Sequence, residues 1–200
     1  MDETMGRRAR KKARTRQALA DAALELFLER GYDAVGVREV AEAADVSVTT
    51  LFKHFPSKEA LVFDLDEDLE AGMVAAVRDR APDCSVLDAL CAHLVRTRLC
   101  LHSGEPDVRA FYAMVEATPA LREYQDRMWL RHETALAAVL AEAAGAPEGD
   151  LRSVALARFA LEAPQLVRGA EDPEAAMREI FGLLERGWDG GGQAPPDRRA

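Results

Sequence analysis

Apolar residues recur along this chain at three- and four-residue intervals, and nowhere do they alternate as a half-buried strand requires. From Lys12 onward, Leu19, Ala22, Ala23, Leu26 and Phe27 share one helical face, and Gly31 is placed to close that helix in a left-handed cap. Two short stripes follow. Val37, Val40, Ala41 and Ala44 make the first; Val48, Leu51 and Phe55 make the second, with Asp45-Val46-Ser47 between them. Gly36, with Glu39 three residues later, marks the start of the first short helix, and Ser47 is the cap of the second. Pro56-Ser57 interrupts again, and Ser57 is placed to cap a long helix predicted over residues 58–80.

Beyond Pro82 the helices lengthen. Ser85-x-x-Asp88 opens one that runs to about residue 101, and Pro106 begins a shorter one to about residue 116. Thr118-Pro119 supplies a cap and a first-turn proline for a helix over 119–144. Gly145, Pro147 and Gly149 punctuate, and two last helices are predicted over 150–167 and 173–188. The expected fold class is all-α, with about nine helices.

The short–break–short unit at residues 37–55 carries the most specific chemistry. Ala41 and Ala44 are small enough for two helices to cross closely, and Asp45 tolerates a left-handed turn better than most residues. Those features describe a helix-turn-helix, whose second helix enters the major groove of DNA. Its outward face carries Thr49, Thr50 and Lys53, whose hydroxyls and amine reach base edges or phosphates. A helical hairpin that never meets DNA satisfies the same spacing.

Composition changes this picture only through its distribution. The 200 residues are 48% hydrophobic, 30% charged and 6% aromatic, and the formal net charge of −9 argues against a nucleic-acid binder. Residues 7–16, however, read RRARKKARTR, with seven cations and no acid. Residues 1–58 hold 11 Lys and Arg against 9 Asp and Glu, and the other 142 residues hold 15 against 26. A mildly basic end is therefore joined to an acidic body. On charge alone, the basic run also fits a solubilising tail or a targeting segment.

The basic start is followed by an amphipathic stretch rather than the unbroken apolar one of a secretory signal, and no run approaches the ~20 apolar residues of a membrane span. Cys84, Cys91 and Cys100 are odd in number and form no C-x-x-C pair. They are read as core or half-buried thiols of a reducing compartment, which places the protein in the cytoplasm, without a structural metal or cofactor. No convergent nucleophile, base and orienting group is visible, so an enzyme is not expected.

The stretch TRQALADAALELFLERGYDAVGVREVAEAADVSVTTLFKHFPSKEAL, residues 15–61, resembles the DNA-binding domain of the tetracycline-repressor (TetR) family of bacterial regulators. The phrases AALELFLERGYDAV, VAEAADVSVTTLFKHF and FPSKEAL carry the likeness without a gap. The resemblance implies that Thr49, Thr50 and Lys53 face DNA and that Ser47 and His54 lie near the phosphate backbone. Lys58 would contact a phosphate, and Arg38 is a further backbone contact. Three positions depart from the family's habit: Gly36 replaces a capping Thr, Asp45 a turn glycine, and Phe52 a tyrosine of the recognition helix.

The same resemblance implies an organisation: a flexible basic arm at 1–14, a helix-turn-helix domain at 15–60, a helical effector-binding and dimerisation domain at 61–188, and a disordered tail at 189–200. The implied partners are double-stranded operator DNA, a second copy of the chain and an unidentified small-molecule effector. The implied role is a transcriptional regulator, a repressor released by its effector. An adaptor that binds proteins through its helical hairpins is the alternative. Candidate residues for the effector pocket are Met73, His93, Phe111, Met114, Trp129, His132 and Glu162, and the apolar or amphipathic lining favours an effector of like character. Candidate residues for a dimer face on the last two helices are Leu156, Phe159, Leu166, Ile180, Phe181 and Leu184.

Overall fold

A computed structural model of the chain describes residues 6–99, 106–167 and 169–186, and among them every regular element is helical. The helices are α1 (Arg7–Arg30), α2 (Val37–Ala43), α3 (Val48–His54), α4 (Glu59–Val62), α5 (Asp66–Arg78), α6 (Val86–Leu94), α7 (Pro106–Ala117), α8 (Pro119–Ala144), α9 (Leu151–Leu166) and α10 (Pro173–Arg186). A single π-helical turn, Val95–Leu99, continues α6. The all-α expectation holds, with one helix more than the pattern predicted. The expected tail at 189–200 and Cys100 lie outside the described residues.

The additional helix arises from a break in the segment expected to run unbroken over 58–80. After α4 the chain turns through Phe63, Asp64 and Leu65 before α5 begins. No glycine or proline forces this break; long-range contacts hold it. The Phe63 ring stacks on Tyr124 at 5.4 Å and meets Phe111 edge-on at 6.2 Å. The Arg16 guanidinium donates to the Asp64 carbonyl oxygen at 2.5 Å.

Residues 7–14, expected as part of a flexible arm, are instead the first turns of α1. Arg, Lys and Ala are among the strongest helix formers, and no Gly or Pro stands between Gly6 and Gly31. A helix anchored further along by packing therefore propagates outward through them, since each added residue gains a bond without a new nucleation cost.

Packing divides the chain into two compact units that do not follow chain order. One comprises Met1–Asp68 with Gly104–Leu130, the other Leu69–Ser103 with Arg131–Ala200. In the first, Leu19, Ala23 and Phe27 of α1 meet Val40 and Ala41 of α2, Leu51 of α3, and Leu61 of α4 in one core. Val115 of α7 and Leu121 of α8 complete it. Each large side chain buried here contributes roughly 1.5–3 kcal/mol.

The second unit has its own core, with Met73 and Val77 from α5, Leu90 and Leu94 from α6, Leu136 from α8, Ala157, Ala160 and Leu161 from α9, and Met177 from α10. Cys91 is buried in this unit and Cys84 is half-buried. Gly72 of α5 lies directly against the His93 imidazole: a Cβ at position 72 would stand 2.8 Å from its Cε1. Gly72→Ala therefore forces a buried ring aside, at about 1–3 kcal/mol for overpacking, against a helix-propensity gain of about 1 kcal/mol. A lower urea midpoint than the parent's is the expected result, although Ala is the better helix former.

Candidate nucleic-acid interface

The turn between α2 and α3 is built by local rules. Asp45 sits in the left-handed region at φ 52°, the only described non-glycine residue with positive φ. The Val46 amide donates to the Ala41 carbonyl at 2.9 Å and the Asp45 amide to the Glu42 carbonyl at 3.0 Å. This is a Schellman closure with Asp in the place usually held by Gly. Val46, the next residue, packs against the core and fixes the direction in which α3 leaves. Asp45→Gly is expected to raise stability by roughly 0.5–1 kcal/mol by relieving the left-handed backbone, and Asp45→Val to lower it by a similar amount or more. Paired urea titrations check both signs.

Both short helices are capped as their sequences predict. The Gly36 amide donates to Glu39 Oε2 at 2.8 Å, and Arg30 of α1 pairs with Glu39 Oε1 at 2.7 Å. The Gly36 amide first, and Arg30 second, hold the Glu39 carboxyl below the usual range. At α3, Ser47 Oγ accepts from the Thr50 amide at 3.1 Å and lies 2.9 Å from Thr50 Oγ1. The Thr50 hydroxyl is thus held by the cap, and Thr50 is only half-exposed.

With Leu51 and Phe55 turned into the core, Thr49, Phe52 and Lys53 form the exposed face of α3. Phe52 was not expected there as a contact. The residue is 49% exposed, a large apolar group beside a hydroxyl and an amine. A helix with such a face suits the major groove, where thymine methyls give an apolar surface between hydrogen-bonding base edges. The sequence marked the position only as a departure from the family's tyrosine. Arg38 is exposed on α2 and lines an open recess with Ala41, Asp45, Ser47 and Val48.

Three cationic or titratable residues in or near α3 have distinct surroundings. Arg16 of α1 donates to the His54 carbonyl at 2.9 Å as well as to that of Asp64, and its guanidinium lies 4.4 Å from the Phe55 ring centre. One side chain thereby joins the end of α3 to the α4–α5 break. His54 is half-buried, and its buried Nδ1 has no hydrogen-bond partner among the described residues. Burial chiefly, and the charges of Lys12 and Arg16 next, push its imidazole below the usual value, which favours the neutral ring.

Lys58 departs from its expected place at a phosphate. Its ammonium turns inward, donates to the Tyr32 carbonyl at 2.5 Å and lies 3.9 Å from the Tyr32 ring centre. Burial pushes that ammonium's pKa down despite the nearby Asp33 and Glu59 carboxylates. The Tyr32 hydroxyl in turn donates to Glu59 at 3.0 Å. The carbonyl of the α1–α2 loop, with two aromatic faces, is a closer partner than solvent.

The candidate pocket residues are distributed over both units. Phe111, Met114 and Trp129 belong to the first, where Phe111 and Met114 pack against the helix-turn-helix core. Met73, His93 and His132 are buried in the second, with the Thr97 hydroxyl donating to the His93 carbonyl at 2.8 Å. Glu162 does not line an interior site: its side chain is 55% exposed and pairs with Arg158, which also holds Glu133. A surface ion pair keeps both charges hydrated, which an apolar interior would not.

Of the candidate dimer residues, Phe159 is 57% exposed and Leu166 74% exposed, while Leu156, Ile180 and Leu184 are half-buried. Phe181 is 4% exposed and belongs to the core of its own unit, because it falls on the same face of α10 as the fully buried Met177 four residues earlier. Leu183, which the pattern did not single out, is exposed in its stead.

Fold and turn geometry define a helix-turn-helix protein. Residues 19–65 match the model of the family described as bacterial regulatory proteins, tetR family. The regulator TcmR of Streptomyces glaucescens is 32% identical over 146 residues, covering 70% of this chain and 65% of TcmR. Among solved structures, NalD of Pseudomonas aeruginosa superposes with a TM-score of 0.56 at 18% identity, over 89% of this chain and 97% of NalD. The SmeT–triclosan complex superposes with a TM-score of 0.58 at 16% identity, over 93% of this chain and 99% of SmeT. The segment at residues 19–65 thus matches the DNA-binding part of the tetR family of bacterial regulatory proteins. The chain spans 65% of TcmR, and 38% and 52% of two further curated relatives.

Proposed function

We propose that the chain is a sequence-specific DNA-binding transcriptional regulator of the cytoplasm, a repressor that leaves its operator when a small molecule binds. The observation that carries this reading is α3 itself, held by the Asp45 turn and the Ser47 cap so that Thr49, Phe52 and Lys53 face outward together. TcmR is described as a transcriptional regulator and NalD as a secondary repressor of an efflux pump, which supports the role. SmeT is described in complex with triclosan, which supports a small-molecule effector. Met73, His93 and His132 are each buried in the second unit, whose core is otherwise largely apolar, and such surroundings suit an effector that is largely apolar. Among the described residues no helix is long and apolar enough to cross a membrane.

A band-shift assay with the DNA upstream of the chain's own gene tests the binding, and a promoter–reporter fusion tests its sign. Retarded duplex and lower transcription with the protein present are expected; no retardation at moderate salt, or higher transcription, contradicts the reading.

Operator recognition by one α3 is weak, and two copies reading half-sites about 34–36 Å apart supply the rest. The reading therefore includes a homodimer through α9 and α10, where Phe159, Leu166 and Leu183 leave apolar surface exposed. Phe159→Asp with Leu166→Glu is expected to yield monomers in sedimentation velocity while leaving the helical far-UV spectrum unchanged. An unaltered dimer would place the interface elsewhere.

A further inference from the structure

We propose that the open groove where α6 and α9 begin and α8 ends is a second small-molecule site, one that takes an amphiphile with an apolar chain and an anionic head, a medium-chain carboxylate in kind. Its volume of about 430 Å³ lies within the range of roughly 300–1,000 Å³ common to ligand sites. Leu87 of α6 and Leu140 of α8 are buried in its lining, and Val86, Ala146 and Leu156 are half-buried there. All of the lining belongs to the second unit, and none of it is a candidate effector residue. Ala143 stands about 16 Å beyond His132 along α8, and Leu87 about 9 Å before His93 along α6. The site is independent of the reading of α3.

The hollow follows from how α8 ends. Gly145 sits in the left-handed region at φ 64°. The Ala146 amide donates to the Ala141 carbonyl at 2.9 Å and the Gly145 amide to the Glu142 carbonyl at 3.1 Å. The α2–α3 turn closes in the same way, and there the residue after the left-handed position is Val46, which packs against the core. At the end of α8 that residue is Ala146, with Ala143 and Ala144 just before the turn. A closure that usually lays a large apolar side chain back on its helix therefore leaves the space open.

The rim offers one charge to a ligand. Asp150 is committed to the start of α9: its carboxylate accepts from the Ser153 amide at 2.9 Å and from the Ser153 hydroxyl at 3.0 Å. Those bonds, the amide first, hold it below the usual carboxylate range. The Arg152 guanidinium is exposed on the same rim, and its charge reaches Asp150 without an ion pair between them. A planar fork of donors beside an apolar trough suits a carboxylate whose chain lies along Leu87, Leu140 and Leu156. A cationic head would meet Arg152 with like charge, while the nearest carboxylate is held by its cap.

The test titrates the full chain with decanoate, decanol and decyltrimethylammonium by calorimetry, and uses amide chemical shifts to locate the bound molecule. Decanoate is expected to bind more tightly than the cation and to shift the Ala144, Ala146 and Ser153 amides. Arg152→Gln is expected to weaken decanoate about tenfold, the loss of one charge-assisted bond, and to leave decanol unchanged. Ala146→Leu is expected to abolish decanoate binding while raising the urea midpoint, because the leucine fills the space the alanine leaves. Lost binding in a more stable chain cannot come from unfolding. Parent-like decanoate affinity in either variant overturns the proposal, as does equal or tighter binding of the cation. Shifts centred on Met73, His93 and His132 overturn it by placing decanoate in the effector pocket. An Ala146→Leu chain that sediments as a monomer where the parent is a dimer overturns it by making the groove a contact between copies.

Discussion

Thr49→Ala combined with Lys53→Ala is expected to weaken operator binding by at least thirtyfold, while binding to random-sequence duplex falls no more than severalfold. Both side chains are exposed on α3 and face away from Leu51 and Phe55, so their removal leaves the core intact. Exposed substitutions of this kind change stability by no more than about 0.5 kcal/mol. Deleting a side chain that reads a base edge in the major groove costs roughly 1–3 kcal/mol of discrimination, and two such deletions account for the predicted factor. Bonds to phosphate, by contrast, strengthen binding to all sequences alike. Fluorescence anisotropy with the two duplexes separates these effects. Equal losses on both would mean that α3 supplies charge but no sequence reading.

Arg16→Ala is expected to lower folding stability by roughly 2–4 kcal/mol and to weaken DNA binding without changing its salt slope. The half-buried guanidinium bonds two backbone carbonyls from segments 38 and 48 residues away, and a bond made by a charged group is worth about 1.5–3 kcal/mol. Removing it leaves the ends of α3 and of the α4–α5 break without their common partner. It also strips a cation from the Phe55 ring. Arg16→Lys is expected to rescue little, because one ammonium cannot span both carbonyls and stack on the ring. Urea denaturation reads the stability, and operator titrations at several salt concentrations read the rest. A fall in salt slope would mean that Arg16 touches phosphate rather than positioning α3.

What the sequence made legible is what nearest neighbours determine. The Asp45 turn, the Ser47 cap, the Glu39 closure onto Gly36 and the inward Val40, Leu51 and Phe55 all follow from spacing within a few residues. The unpredicted features are set by residues far apart in the chain. The α4–α5 break depends on Arg16, Tyr124 and Phe111, none of which lies near it in sequence. Lys58 turns inward because the Tyr32 carbonyl waits there, 26 residues upstream. Phe181 and Phe159 look equivalent as apolar residues on α10 and α9, and only packing assigns one to the core and leaves the other exposed. The helical state of residues 7–14 was hidden differently, since a charge run reads as a tail although its residues are good helix formers.

Charge follows the same division. The net −9 belongs to the whole chain, whereas the first turns of α1 and the exposed face of α3 are basic or neutral. Average charge describes solubility and steering at long range; local charge decides which face a polyanion meets.

The most direct measurement is selection of bound duplexes from a random-sequence pool by the full chain, followed by sequencing. Two inverted half-sites with centres about one helical turn, or a whole number of turns, apart are predicted, with thymines among the preferred bases and enrichment lost in the Thr49→Ala, Lys53→Ala variant. A pool that remains unenriched after repeated rounds, or an enriched motif that the variant selects equally well, would contradict the account.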